Sequence, residues 1–184
     1  MSNITKRAMA QSIKKILVVK ELDKITITDI TNDCGINRQT FYYHFKDIYD
    51  LLEWIFANEV VEKIEKETTI ETWQDNFKYV LDYMLKNKKF IIKTYNSLSR
   101  KTLLDFLFNQ YNTIFIEIVN DLSKNYNITK ENKIFIANFY KYGFAGIIEN
   151  WIVTEMKESP ESIIKKLDVM ISGNFEEAVR KMSN

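Results

Sequence analysis

Between Thr26 and Leu52 the chain reads TITDITNDCGINRQTFYYHFKDIYDLL, and this stretch leaves little choice of local fold. Thr26 is a residue type that caps helix N-termini, and Asp29, three positions on, can return the bond and complete a capping box. Ile27, Ile30 and Cys34 then share one face of a short helix. Gly35 stands where a helix C-terminus calls for positive φ. Asn37 caps a second short helix, from Arg38 to about His44. In that helix Phe41 and Phe45 are four apart and turn to the same side. Arg38, Gln39, Thr40, Tyr42, Tyr43 and His44 are left outward or at the edge. The pattern predicts a helix-turn-helix clamped onto a third helix that opens at Asp47.

The chemistry of the outward face points to a polyanion. It carries no acidic residue, whereas a solvated helix face is ordinarily filled with Lys and Glu. Arg and Gln near a helix start pair bidentately with guanine and adenine edges in the major groove. Tyr, Thr and His suit phosphate oxygens, and the helix N-terminus itself attracts an anion. With Thr26, Thr28, Asn37 and Lys46, these residues form a candidate DNA-reading set. A small helical hairpin with a few exposed aromatics fits the same pattern.

The string GINRQTFYYHFKDIYDLL resembles the signature of the TetR family of bacterial transcriptional regulators. That signature is a small-residue turn, a polar cap, a threonine, an apolar–Tyr pair and an aromatic-rich end. The resemblance covers roughly residues 5 to 55. NRQTFYYHFKDIYDLLEW and the later FYKYGFAGIIENWI are most similar to the subgroup containing the dihydroxyacetone-kinase operon activator. The resemblance implies a homodimer on a double-stranded DNA operator, with the last two helices of each subunit forming a four-helix bundle. It implies modulation by a small molecule held between helices or, in this subgroup, by a ligand-bound protein coactivator. Many members carry Lys at the start of the fourth helix, where this chain has Ile48; Lys46 is the nearest base to take over that phosphate contact.

Only one Pro and four Gly occur in 184 residues, too few for the turns of a β-rich design. The expected fold is all-α, with about nine helices: an N-terminal three-helix helix-turn-helix unit over residues 1–50 and a C-terminal helical bundle over residues 51–184. Cys34 is the only cysteine, so no intramolecular disulfide forms, in agreement with a reducing cytoplasm. The polar N-terminus predicts no signal peptide, and no apolar run is long enough to span a membrane. His44 and Cys34 are single examples of their types, and a zinc site needs three or four ligands. There is no Gly-rich phosphate loop and no nucleophile elbow. Neither metal, cofactor nor catalysis is therefore expected.

The net charge is +1, which by itself argues neither for nor against nucleic acid. Residues 1–50 hold eight Lys and Arg against six Asp and Glu, and the remainder eighteen against nineteen. So weak a bias makes a monomer a poor ligand for DNA at physiological salt, and a dimer doubles the phosphate contacts. A helical interaction module that no longer reads DNA is the alternative, supported by Ile48 and the near-zero net charge.

Along the chain, Thr5 is a cap for a first helix to about Lys20, with Met9, Ile13, Ile16 and Leu17 on its buried face. Lys6, Arg7, Lys14 and Lys15 lie on its other faces, where phosphates or solvent can meet them. The helix opening at Asp47 is expected to continue to about Glu67 through Glu59/Lys63 and Glu62/Lys66 pairs, so that tilting one rigid element would move the recognition helix. Further helices are expected over 72–86, 90–98, 102–124 and 129–157, and a last one from the Ser159–Pro160 cap to about Lys181.

Gly143 and Gly146 sit in a helix interior, where Gly costs about 0.5–1 kcal/mol relative to Ala, and close approach of another helix compensates. That helix belongs either to the same subunit or to a second one. With the resemblance, Gly143, Gly146, Ile147, Trp151, Leu167, Met170 and Ile171 form the candidate dimer interface. The aromatics of the C-terminal half give a candidate effector pocket of Phe77, Tyr95, Phe106, Tyr111, Phe115 and Phe144; plain core filling is the favoured reading of each residue taken singly.

Overall fold

The computed structural model describes residues 2–60 and 69–183. Among them the regular structure is entirely helical, in ten α-helices and one 3-10 turn. The helices are α1 (Ser2–Ile16), α2 (Ile27–Cys34), α3 (Arg38–His44), α4 (Ile48–Glu59), α5 (Trp73–Lys86), α6 (Lys88–Tyr95), α7 (Arg100–Leu122), α8 (Lys130–Val153), α9 (Pro160–Ile171) and α10 (Asn174–Lys181); the 3-10 turn is Leu22–Lys24. They fall into two compact units, Met1–Lys63 with Asn87–Phe106, and Ile64–Lys86 with Leu107–Asn184. A cut at residue 50 is therefore not where the compact units divide: α4, α6 and the first turns of α7 belong with the N-terminal helices.

In the first unit α1 packs on α2 and α4, and α2 on α3. Met9, Ile13, Leu17, Ile30, Phe41, Phe45, Leu51, Leu52, Ile55 and Phe56 are buried, as the spacing of their faces requires. Ile16 is only half-buried. α1 begins at Ser2, with Thr5 inside it rather than capping it, and ends at Ile16. Its continuation to Lys20 is a run of hydrogen-bonded turns, with the Val18, Val19 and Lys20 amides donating to the Lys15 and Ile16 carbonyls.

α4 is described to Glu59, so its expected extension to Glu67 and the Glu62/Lys66 pair lie outside the described residues, as does Lys63. Glu59 pairs with Lys14 of α1. α6 is tied to the connector after α1. The Asp23 carboxylate accepts from the Leu98 amide at 3.1 and 3.3 Å, and Lys93 Nζ lies 3.1 Å from Glu21 Oε1.

In the second unit α5 packs on α9, and α10 packs on α8 and α9. Gln74 Nε2 donates to Asp168 Oδ1 at 2.7 Å, and Lys78 reaches Glu161 at 2.8 Å, so polar bonds flank the apolar α5–α9 seam. The expected last helix is two helices. Gly173, at φ 76°, breaks it and lets α10 turn Phe175 and Val179 into the core. α8 ends at Val153 rather than near Lys157. Glu155 and Met156 follow in the left-handed region, and the Met156 amide closes the end on the Trp151 carbonyl at 2.7 Å.

Two changes probe these units. Phe144 is buried and meets Trp73, Phe77, Tyr111 and Phe115 at centroid distances of 5.7, 4.9, 6.3 and 4.8 Å. Phe144→Ala is expected to destabilise the protein by about 3–5 kcal/mol in chemical denaturation. In α2, the Lys20 ammonium at 2.6 Å, then the Thr26 amide and hydroxyl, hold the Asp29 carboxyl down at about 2. Its folded pKa lies below the unfolded value, so its contribution is present above that value and is lost as pH falls through about 2. Asp29→Asn is expected to lower the melting temperature at neutral pH. The gap to the wild type should close between 3.8 and 2; a gap that widens there contradicts this account.

Candidate nucleic-acid interface

The turn between α2 and α3 is built by three local devices. Thr26 and Asp29 form a complete capping box, in which the Asp29 amide donates to Thr26 Oγ1 at 3.2 Å and the Thr26 amide to Asp29 Oδ2 at 2.7 Å. Gly35 closes α2 at φ 66°, a conformation that costs any side-chain-bearing residue strain. The Ile36 amide then donates to the Thr31 carbonyl at 3.0 Å. Asn37 Oδ1 accepts from the Thr40 amide at 2.8 Å and from Thr40 Oγ1 at 3.0 Å, which starts α3. Lys20–Asp29 and Lys15–Asp33 ion pairs hold α2 to the end of α1. Nothing in the sequence singles out Lys20, because the pairing spans nine residues and no helical register relates them.

Phe41 and Phe45 are both buried on the inner side of α3. The opposite side presents Arg38 and Gln39, both exposed, with Tyr42 51% and Tyr43 82% exposed. Lys46 is exposed just beyond it, while Thr40 and His44 are half-buried at the edge. Arg38 Nη2 reaches Tyr42 Oη at 3.5 Å, and the Tyr43 and His44 rings meet edge-on at 4.9 Å. Of the expected set, Thr28 is exposed on α2. Thr26, Asn37 and Thr40 spend their side-chain hydrogen bonds on the two caps, so they shape the turn. Ile48 is half-buried at the start of α4, where Asp47 Oδ1 accepts from the Asp50 amide at 2.9 Å. The ridge is thus acid-free, rigidly capped, and rich in donors and hydroxyls.

The other expected groupings fare differently. Tyr95 and Phe106 belong to the first unit, and Phe77, Tyr111, Phe115 and Phe144 to the second. Phe77, Tyr111, Phe115 and Phe144 are mutually packed, and the space enclosed beside them is ≈ 10 Å³, about one water. They are core. The Tyr111 hydroxyl is buried without a partner, and burial pushes its pKa far up.

In the dimer set, Trp151, Leu167 and Ile171 are buried within the subunit; Trp151 Nε1 donates to the Glu158 carbonyl at 2.8 Å. Gly143 and Gly146 are exposed, and a Cβ built on either meets no atom within 4 Å. Close packing inside the subunit therefore does not explain these glycines. Ile147 is 40% and Met170 67% exposed, beside exposed Phe139 and Tyr142. Together they border an open apolar groove of ≈ 570 Å³ between α8 and the α9–α10 segment.

Among the described residues no group of His, Cys, Asp and Glu is placed to hold a metal. No helix there is long and apolar enough to cross a membrane. Burial raises the Cys34 thiol pKa above its ordinary value.

Comparison with known proteins places this geometry. The family described as the transcriptional regulator C-terminal region of the TetR type matches residues 71–173. The activator DhaS of the dhaKLM operon, from Lactococcus lactis subsp. lactis (strain IL1403), is 27% identical over 154 residues, spanning 83% of this chain and 81% of its own. A solved structure of the dihydroxyacetone kinase operon activator DhaS superposes with TM-score 0.73 at 23% identity, covering 98% of this chain and 99% of that one. Native NalD, the secondary repressor of the MexAB-OprM multidrug efflux pump in Pseudomonas aeruginosa, superposes with TM-score 0.54 at 14% identity over 93% and 96% of the two chains. At these identities the two structures speak for the fold alone. The chain belongs to the TetR family of transcriptional regulators and is a DNA-binding regulator rather than an enzyme.

Proposed function

We propose that the chain acts in the cytoplasm as a homodimer whose two α3 ridges read successive major grooves of a near-palindromic operator, about 34 Å apart. The observation that carries this reading is the acid-free outward face of α3. Arg38 and Gln39 stand at its start, where side chains reach base edges. Tyr42, Tyr43, His44, Thr28 and Lys46 surround them as partners for phosphates and base edges. Thr26, Asn37 and Thr40 hold the caps from which these groups project.

The dimer is supported by the exposed stripe on α8. Gly143, Gly146 and Ile147, with Met170 of α9, offer a second copy a close helix approach that none of the described residues uses. The low net charge adds to the argument, since two sets of phosphate contacts are needed for useful affinity.

Similarity to DhaS supports transcriptional activation, with an operon encoding dihydroxyacetone kinase as the target class. Modulation by a protein coactivator, which the family resemblance implies, belongs to the same reading. The packed aromatic cluster of the second unit, with room for about one water, favours that partner over a small molecule held there.

Gel shifts against the DNA flanking the chain's own gene test the reading; a folded dimer with no preference over random duplex overturns it. Arg38→Ala and Gln39→Ala are each expected to cost about 1–3 kcal/mol and to relax base preference at one position per half-site. Ile147→Asp with Met170→Asp is expected to turn the dimer into monomer in sedimentation velocity and to weaken operator binding by at least about tenfold. A stable dimer in that variant would move the interface elsewhere.

A further inference from the structure

Lys6 is a half-buried residue near the start of α1 with no carboxylate partner among the described residues. Its ammonium stands over two aromatic rings at once, 5.5 Å from the Phe45 centroid and 5.8 Å from that of Trp54. Those rings meet each other edge-on at 5.9 Å. A cation this close to a ring face is held by the ring quadrupole, and the attraction grows as the site loses water. Phe45 is the residue that ends α3, and its amide donates to the Phe41 carbonyl at 2.9 Å. The ring series continues outward, from Phe45 to His44 at 6.4 Å and from His44 to Tyr43 at 4.9 Å.

We propose that Lys6 is a positioning residue for DNA reading: by clamping Phe45 and Trp54 it fixes the end of α3 from which Tyr43 and His44 are presented. The inference rests on α3 being the groove-reading element. It is distinct from a phosphate contact made by Lys6. A phosphate contact acts on every duplex alike and adds to the salt dependence, whereas orientation of α3 matters only where bases are read.

The test compares Lys6→Met and Lys6→Arg in the full-length protein. Met keeps the length and packs favourably on aromatic rings, while Arg keeps the cation. Lys6→Met is expected to weaken operator binding roughly three- to tenfold, to leave random-duplex binding and the salt slope unchanged, and to be largely rescued by Arg. A parallel loss on both duplexes, with a salt slope lower by about one, makes Lys6 a phosphate contact and overturns the proposal; so does unchanged operator affinity.

A DNA-independent measurement uses 5-fluorotryptophan-labelled protein, with the Trp54 resonance assigned through Trp54→Phe. Lys6→Met should shift that resonance and Lys6→Arg should shift it less. An unmoved resonance means there is no clamp, whatever the DNA data show. A wild type without operator preference defeats the α3 reading and leaves this second measurement intact.

Discussion

Everything on the outward side of the helix-turn-helix follows from the one-sided burial of a seven-residue helix. Phe41 and Phe45 both enter the core of the first unit, and a helix cannot turn two aromatics four apart inward without turning the intervening positions outward. Gln39, Tyr42 and Tyr43 are exposed as a geometric consequence, while Arg38 is exposed at the first position of the helix. The stabilisation comes from apolar burial, which is worth roughly 1.5–3 kcal/mol for a fully buried Phe. A helix this short has little intrinsic stability. Its placement is owed to that burial, to the Asn37 cap and to the left-handed Gly35, which sets the angle between α2 and α3. The Lys20–Asp29 pair secures the other end of the motif to α1.

α8 shows a different balance. Apolar residues cover its whole circumference. Ile136, Phe144, Ile148 and Trp151 fill the second unit, while Phe135, Phe139, Tyr142, Ile147 and Val153 remain exposed. Exposed apolar patches of this kind mark interaction surfaces. The two glycines on the exposed side cost helix stability, and the open space above them is what a second helix would use.

The second unit is rich in aromatics for a packing reason. Trp73, Phe77, Tyr111, Phe115 and Phe144 interlock largely edge to face or tilted, a geometry that adds to their area burial. The same residue types line ligand sites in other folds, so composition alone does not separate a core from a pocket. The volume left between them does, and here it is about that of one water.

Local chemistry was readable in the chain itself. The caps at Thr26, Asn37, Asp47 and Ser159, the positive-φ glycine, the inner face of α3, the all-helical class and the family resemblance depend on residue types within about four positions of one another. Tertiary structure decided the rest. Lys14 pairs with Glu59, and Gln74 with Asp168, ninety-four residues away. Trp151, Leu167 and Ile171 turn into their own subunit, while Ile147 and Met170 stay out. Helical periodicity says that a residue lies on an apolar face, but not which neighbour covers it, because that depends on how helices far apart in the chain come to pack.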